Sequence, residues 1–293
     1  MKQKTVIIIV GATASGKTNL ALQFADRYKT AIISADSRQC YKELNIGVAK
    51  PPDGALRSVK HYFINSHSIH DEVNAQVFEE YALKAAEEIF SENDTAIMVG
   101  GTGMYIKAFC EGLDEIPEIP LSVRGQIINT YKEKGLVWLQ EEVQKKDPAF
   151  WKQAEQQNPQ RLMRALEVID STGRSVSEFR KNKKIERPFN IIKLGIDLPK
   201  EQLHININRR VDEMIEKGLI AEVSSLIPYQ HLNALQTVGY KEIFDYLGGK
   251  MSLTESIQKI KSNTRQYAKR QFTWFKKDKT VNWSTFDQML KNC

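Results

Sequence analysis

Apolar positions along the chain change from unbroken runs to helical spacings and back. Val6–Val10 is a continuous run of β-branched residues closed by Gly11, which predicts a strand covered on both faces, as in a parallel sheet. Leu20, Ala21, Phe24 and Ala25 then recur at helical spacing, and Ala31–Ser34 predicts a second strand, so the chain opens as strand, turn, helix, strand. A helix around Val77–Phe90 leads into a third predicted strand, Ala96–Val99, which runs out into Gly100, Gly101 and Gly103. Such alternation defines a doubly wound α/β sheet.

The strand pattern stops at Pro117 and Pro120, and the segment that follows reads as charged helices until about Pro188. The expected organisation is a sheet core built from residues 1–118 and 189–293, with an all-helical insert over 119–188. Strand character returns at Ile191–Ile196, after which the chain is expected to be helical to its end. Lys181–Arg187 (KNKKIER) reads as a charged linker.

With 293 residues and 41% hydrophobic composition, the chain can bury a substantial core. Its net charge of +6 only hints at a polyanionic partner, so the placement of charge matters more than its sum. Cys40, Cys110 and Cys293 are too few and too scattered for a disulfide framework or a CxxC metal site, and a reducing cytoplasm is expected. The apolar run at Val6–Val10 is too short for a signal sequence or a membrane span, and no other run approaches bilayer length.

Between the first strand and its helix lies Gly11-Ala12-Thr13-Ala14-Ser15-Gly16-Lys17-Thr18, which satisfies GxxxxGK[ST]. In that context the motif predicts a phosphate cradle and a P-loop NTPase-like parallel sheet core flanked by helices. Glycines let consecutive amides converge on phosphate oxygens, the helix N-terminus adds positive potential, Lys17 supplies a point charge and Thr18 can ligate Mg²⁺. Kinases, nucleotide hydrolases and some transferases share this loop, so the choice among them falls to other residues.

Asp36 follows the second strand at the carboxyl edge of the sheet, where ligands of doubly wound folds bind. It reads either as a metal ligand or proton acceptor, or as an Asx turn with no chemical role. Thr102 sits in the glycine turn after the third strand at the same edge. Leu203, Ile207, Val211 and Met214 form an apolar stripe with Arg210 at its border, so this guanidinium needs an anion, either a diphosphate or an internal carboxylate. Arg209, four residues before Glu213, reads as a surface ion pair.

Ser252-Leu253-Thr254-Glu255 is a capping box that predicts the start of a long helix. From Arg265 to Lys279 it carries six basic residues against one acid, with Tyr267, Phe272, Trp274 and Phe275 interleaved. Cations for phosphates and rings for stacking suit RNA, although a solvated cationic face over a core-facing stripe would look alike. A helix opened by Asn158-Pro159 turns Leu162, Ala165, Leu166 and Ile169 inward and leaves Arg161 and Arg164 outside, a second basic face.

Taken in order, GATASGKT (Gly11–Thr18), ISADSRQCY (Ile33–Tyr41), NIGVAKP (Asn45–Pro51), GGTGMYI (Gly100–Ile106), NPQRLMRALEV (Asn158–Val168), RRVDEMIEKGL (Arg209–Leu219), TVGYKEI (Thr237–Ile243) and TRQYAKRQFTWFK (Thr264–Lys276) resemble the tRNA dimethylallyltransferase family over nearly the whole chain. Ala12 replaces the proline of many bacterial members, and Val48 a usual threonine. The resemblance implies transfer of a dimethylallyl group from dimethylallyl diphosphate, the co-substrate, to N6 of the adenosine immediately 3′ of the anticodon, with Mg²⁺ assisting release of diphosphate. It implies Asp36 as the base, with Lys17, Arg210, Thr13 and Thr102 around the reacting atoms. It further implies that Asp36, Ser37, Arg38, Gln39 and Thr102 line the channel for the flipped base. The anticodon stem-loop would be gripped by Gln160, Arg161, Leu162, Met163 and Arg164 of the insert, by Gln236, Gly239, Tyr240 and Lys241, and by Lys269, Arg270, Gln271, Phe272, Thr273, Trp274, Phe275 and Lys276, with Arg124 a further contact. A compact bacterial form without the zinc finger of some eukaryotic members is expected, monomeric and without membrane attachment. The rival readings are a prenyltransferase acting on free adenine nucleotide, a small-molecule kinase, and an RNA-binding switch without catalysis.

Overall fold

Strands Thr5–Val10 (β1), Ile32–Ala35 (β2), His61–Tyr62 (β3), Thr95–Gly100 (β4), Asn190–Ile196 (β5) and Val281–Ser284 (β6) pair in parallel in a single sheet ordered β3-β2-β4-β1-β5-β6. This is the architecture of a computed structural model that describes residues 3–181 and 183–292. Helices Lys17–Tyr28 (α1), Asp53–Ser58 (α2), Ala75–Glu92 (α3), Gly103–Glu111 (α4), Leu121–Lys146 (α5), Pro148–Trp151 (α6), Pro159–Thr172 (α7), Val176–Phe179 (α8), Lys200–Glu216 (α9), Leu219–Ser225 (α10), Tyr240–Leu247 (α11), Leu253–Lys276 (α12) and Phe286–Asn292 (α13) complete the order. Two compact units result, one of Met1–Glu111 with Glu186–Cys293 and one of Gly112–Ile185.

Strand β1 shows why its sequence lacks polar positions. Val6, Ile8 and Val10 enter one hydrophobic cluster, while Ile7 and Ile9 enter the cluster on the opposite face with Leu20, Ala21 and Phe24 of α1. Both faces are therefore covered by helices, and strand periodicity is hidden within an apolar run. The expectation of an all-helical C-terminal region is corrected by β6, an edge strand whose Asn282, Trp283 and Ser284 remain partly open and so leave no apolar run to read. Strand β3 is only two residues long and was likewise not expected. Arg187, read as the end of a charged linker, is instead only 8% exposed: it pairs with Glu79 and donates to the carbonyls of Ala108 and Phe109. Asn182 of the same stretch, like Cys293, lies outside the described residues.

The 112–185 unit is helical, with Ile127, Leu139, Val143, Phe150, Leu162, Leu166 and Val176 in its own core. Helix α7 starts on the Asn158 side chain, which accepts from the Arg161 amide, with Pro159 in the first turn. Helix α5 is broken at Gly135, whose φ of 74° no helix accommodates.

Register sets the location of chemistry. Val10 of β1 and Ala35 of β2 both pair with Gly100 of β4, so the segments after these three strands leave the sheet side by side. Gly100 has no alternative here, because a Cβ would run into the Ala35 backbone. Among the described residues, no helix is long and apolar enough to cross a membrane.

Candidate active site

The loop after β1 turns at Gly11, passes Ala14 in a left-handed conformation (φ 62°) and reaches Gly16 (φ 93°), the residue that caps α1. The first amides of α1 therefore open toward the loop without intrahelical partners. Ala12 and Ala14 are buried against Leu203 and Ile207 of α9 and Ala268 of α12. Ser15 lies within the loop with its Oγ buried and lacking a hydrogen-bond partner, an orphaned donor of the kind a phosphate oxygen satisfies.

Helix α9 grips this loop with two side chains one turn apart. Asn206 Nδ2 donates to the Ala14 carbonyl at 3.2 Å, and the Arg210 guanidinium donates to Thr13 Oγ1 at 3.1 Å. The Arg210 side chain thus goes to the phosphate loop, and Arg209 lies 3.8 Å from Glu213 on the outside of the helix. Burial lowers the Arg210 guanidinium, while Glu213 and Asp36 favour its charge. Lys17 Nζ donates to the Ala12 carbonyl at 2.5 Å. Burial first and Arg210 second bring the Lys17 ammonium down to about 7, against the opposing pull of Asp36. Two cations and one carboxylate from distant parts of the sequence share one electrostatic neighbourhood.

Asp36 follows β2. Its Oδ1 accepts the amides of Arg38 (2.9 Å) and Gln39 (3.3 Å), so the Asx turn weighed above is present; Oδ2 takes no part in these bonds. Thr102 Oγ1 accepts the Ser37 amide at 3.0 Å, and the Thr102 amide donates to the Ala35 carbonyl at 3.2 Å, tying the glycine turn to the Asp36 turn. Burial, with Asp36 second, pushes the Cys40 thiol up to about 12 and leaves an inert sulfhydryl beside the acid. The Tyr267 phenol of α12 is also pushed up to about 12 by burial first and by Asp36 second.

Gln271 belongs to this site and not to the surface. It is 6% exposed; its Oε1 accepts the Thr13 amide at 2.7 Å and its Nε2 donates to the Gly101 carbonyl at 3.0 Å. One amide side chain thereby joins the phosphate loop to the glycine turn. Gln271, expected as an RNA contact, is thus turned into the site, and five other members of that expected set are buried as well. Leu162 (0%) and Met163 (7%) fill the core of the helical unit, Phe275 (3%) packs under α12, and Tyr240 (0%) lies beneath the 45–49 loop. Gly239 is also buried, with its amide capped by Glu242.

The remaining members of the expected RNA set are accessible. Helix α12 exposes Lys269, Arg270, Phe272, Thr273, Trp274 and Lys276, of which Lys276 is engaged with the Trp283 ring at 4.2 Å and Asp197 at 3.9 Å. Gln236 and Lys241 are exposed, and Arg38 donates to the Asn233 carbonyl. In the helical unit Gln160 and Arg161 are exposed, and Arg164 and Arg124 lie 3.2 and 3.9 Å from the buried Glu167 carboxylate. Sequence reasoning missed Asn206 altogether. The signal for Gln271 was its place on the apolar face of α12 with Ile257, Ile260 and Tyr267.

A parallel sheet with a phosphate loop, two cations upon it and a carboxylate at the same edge is the arrangement of P-loop enzymes that handle a phosphorylated or diphosphorylated ligand. The profile of the IPP transferase family matches residues 39–278, and the chain belongs to the tRNA dimethylallyltransferase (IPP transferase) family. It is 42% identical to tRNA dimethylallyltransferase 1 of Bacteroides thetaiotaomicron over 95% of this chain and 91% of that one. It is 45% identical to the tRNA dimethylallyltransferase of Christiangramia forsetii over 98% and 95%. The crystal structure of the full-length tRNA isopentenylpyrophosphate transferase from Bacillus halodurans superposes with a TM-score of 0.72 at 33% identity, covering 99% of this chain and 94% of that one. A eukaryotic dimethylallyltransferase acting on tRNA gives 0.78 at 27% identity, covering 97% and 75%. The chain is a prenyltransferase that acts on tRNA.

Proposed function

We propose that dimethylallyl diphosphate lies with its diphosphate in the 11–18 loop, and that the acceptor is N6 of the adenosine immediately 3′ of the anticodon. The electrostatic convergence of Lys17, Arg210 and Asp36 carries this reading. As the C1–O bond breaks, its electron pair leaves on the diphosphate. The loop amides, the Ser15 hydroxyl, Lys17 and Arg210 would stabilise that charge, with Thr13 orienting Arg210. The N6 lone pair forms the new C–N bond, and the amine proton passes to Asp36 Oδ2, the oxygen left over by the Asx turn. Thr102 and Gln39 would position the base, which must leave the anticodon stack to reach Asp36.

Mg²⁺ fits this donor set. No cluster of three or more His, Cys, Asp or Glu side chains able to hold a metal occurs among the described residues, and an ion that binds chiefly through phosphate oxygens needs only Thr18 from the protein. Bound there, it would supply charge neutralisation on the departing diphosphate. The α12 face and Arg124, Gln160, Arg161 and Arg164 would hold the RNA through its phosphates. A reducing, cytoplasmic setting fits the buried free thiols Cys40 and Cys110.

Incubation with labelled dimethylallyl diphosphate and either tRNA, AMP or no acceptor tests the proposal. Label on an adenosine next to the anticodon supports it; label on AMP alone would assign the site to a free-nucleotide prenyltransferase.

A further inference from the structure

The segment Asn45–Lys50 folds into a tight turn in which the Ala49 amide donates to the Ile46 carbonyl and the Lys50 amide to that of Asn45, with Ala49 in a left-handed conformation (φ 49°). Three consecutive amides of this turn, from Asn45, Ile46 and Gly47, point to one carboxylate, that of Glu222 on α10, at 3.2, 2.7 and 3.0 Å. Successive amides converging in this way form an anion nest, and here the anion is a side chain of the protein. A fourth donor, the Tyr240 hydroxyl of α11, reaches Glu222 Oε1 at 2.5 Å. The Tyr240 ring lies against Gly47 so closely that a Cβ there would overlap it. Glu222 thus holds a surface turn on two helices that begin more than 160 residues later in the chain.

That turn leans on the candidate active site. Gln39 Nε2 donates to the carbonyls of Val48 (3.3 Å) and Ala49 (3.1 Å), and Gln39 Oε1 accepts from Ser34 Oγ at 3.1 Å. The Gln39 amide is in turn one of the two donors that fix Asp36 Oδ1. An unbroken series of hydrogen bonds runs from Glu222 through the 45–49 turn and Gln39 to the proposed base.

We infer that Glu222 is a positioning residue for acceptor chemistry: by occupying the amide nest of Asn45–Gly47 it sets where Gln39 and Asp36 meet the target base. This rests on the function proposed above. A carboxylate suits the task because it accepts all four donors, whereas a carboxamide would present its own N–H groups to some of them. The phosphate loop is held by α9 and α12 and meets this series beyond Gln39, through Gln271, the 101–102 turn and the Asp36 turn, so donor binding should depend on Glu222 far less than acceptor chemistry does.

Glu222→Gln and Tyr240→Phe are compared with the unsubstituted protein for binding of dimethylallyl diphosphate, melting temperature, and single-turnover transfer at saturating tRNA. The transfer rate should fall about tenfold for Glu222→Gln and about threefold for Tyr240→Phe, which removes a single donor, while donor affinity stays within about twofold. Transfer by Glu222→Gln at the unsubstituted rate would overturn the inference. So would a parallel loss of donor affinity and melting temperature in both variants, which would make Glu222 a general structural anchor. Failure of the unsubstituted protein to modify tRNA would instead overturn the functional reading, and the inference with it.

Discussion

The Gln271 side chain accepts the backbone amide of Thr13 at 2.7 Å, so a residue near the end of α12 closes the phosphate loop. One of its two amide N–H groups goes to Gly101, and the side chain is buried away from the outer face of α12. Gln271→Ala strands a buried donor and a buried acceptor, each worth about 1–3 kcal/mol when unsatisfied. We predict dimethylallyl diphosphate binding about tenfold weaker with tRNA binding retained, measured separately for each substrate. Weaker tRNA binding with donor affinity intact would return Gln271 to the RNA surface.

Asp36 does two jobs in the proposed chemistry, and its substitutions should separate them. Asp36→Asn keeps an oxygen for the amides of Arg38 and Gln39 but removes the proton acceptor. Transfer should fall by at least about a hundredfold in Asp36→Asn and in Asp36→Ala, with tRNA affinity little changed. If Asp36→Asn transfers normally in single-turnover assays, the residue is a turn-former only.

Arg210 meets Thr13 Oγ1 from a mostly apolar helix face. Arg210→Lys keeps the charge and loses the planar fork, so kcat should fall about ten- to a hundredfold with a smaller change in KM for tRNA. Steady-state kinetics with each substrate varied in turn provides the check.

The Lys17 ammonium, brought down to about 7 by burial and by Arg210, is partly deprotonated at neutral pH. A diphosphate beside it favours the charged form and raises this value on binding. Between the free and bound values, binding takes up a proton, so donor affinity should decline as pH rises above 7. Calorimetry at pH 8 in two buffers of different ionisation enthalpy should report uptake of up to about one proton. Lys17→Met should abolish that uptake.

On the exposed face of α12, Lys269 has the simplest expected role. Lys269→Ala should weaken tRNA binding and make its dependence on the logarithm of salt concentration shallower by about one. An unchanged slope in filter-binding or fluorescence titrations would remove Lys269 from the RNA contacts.

The phosphate loop was legible because its chemistry is contiguous: eight adjacent residues carry the turn, the cation and the helix start. Strands β1, β2 and β4 were legible because burial on both faces leaves nearly unbroken apolar runs, and β5, partly open and interrupted by Lys193, still showed Ile191, Ile192, Leu194 and Ile196. Strand β6 was not, since an edge strand needs no such run. Within the site, periodicity could place Arg210 at the border of an apolar stripe, but its partner Thr13 lies almost 200 residues earlier and no local pattern encodes the pairing. Tyr240 and Phe275, expected at the RNA surface, are buried. Each sits in a segment with polar and basic neighbours, and only the helical phase, fixed by packing, decides that the ring turns inward.

Helix α12 has consequences for anyone who would take the enzyme apart. Gln271, which latches the donor loop, lies two residues from Lys269 and one from Phe272 and Arg270, which look outward. A single turn of rigid helix that carries both faces cannot be assigned to one substrate. If the proposed RNA contacts hold, transplanting that face onto another catalyst would carry the latch away with it, and redesigning the donor loop would disturb the grip on RNA, so the two specificities would be inherited together.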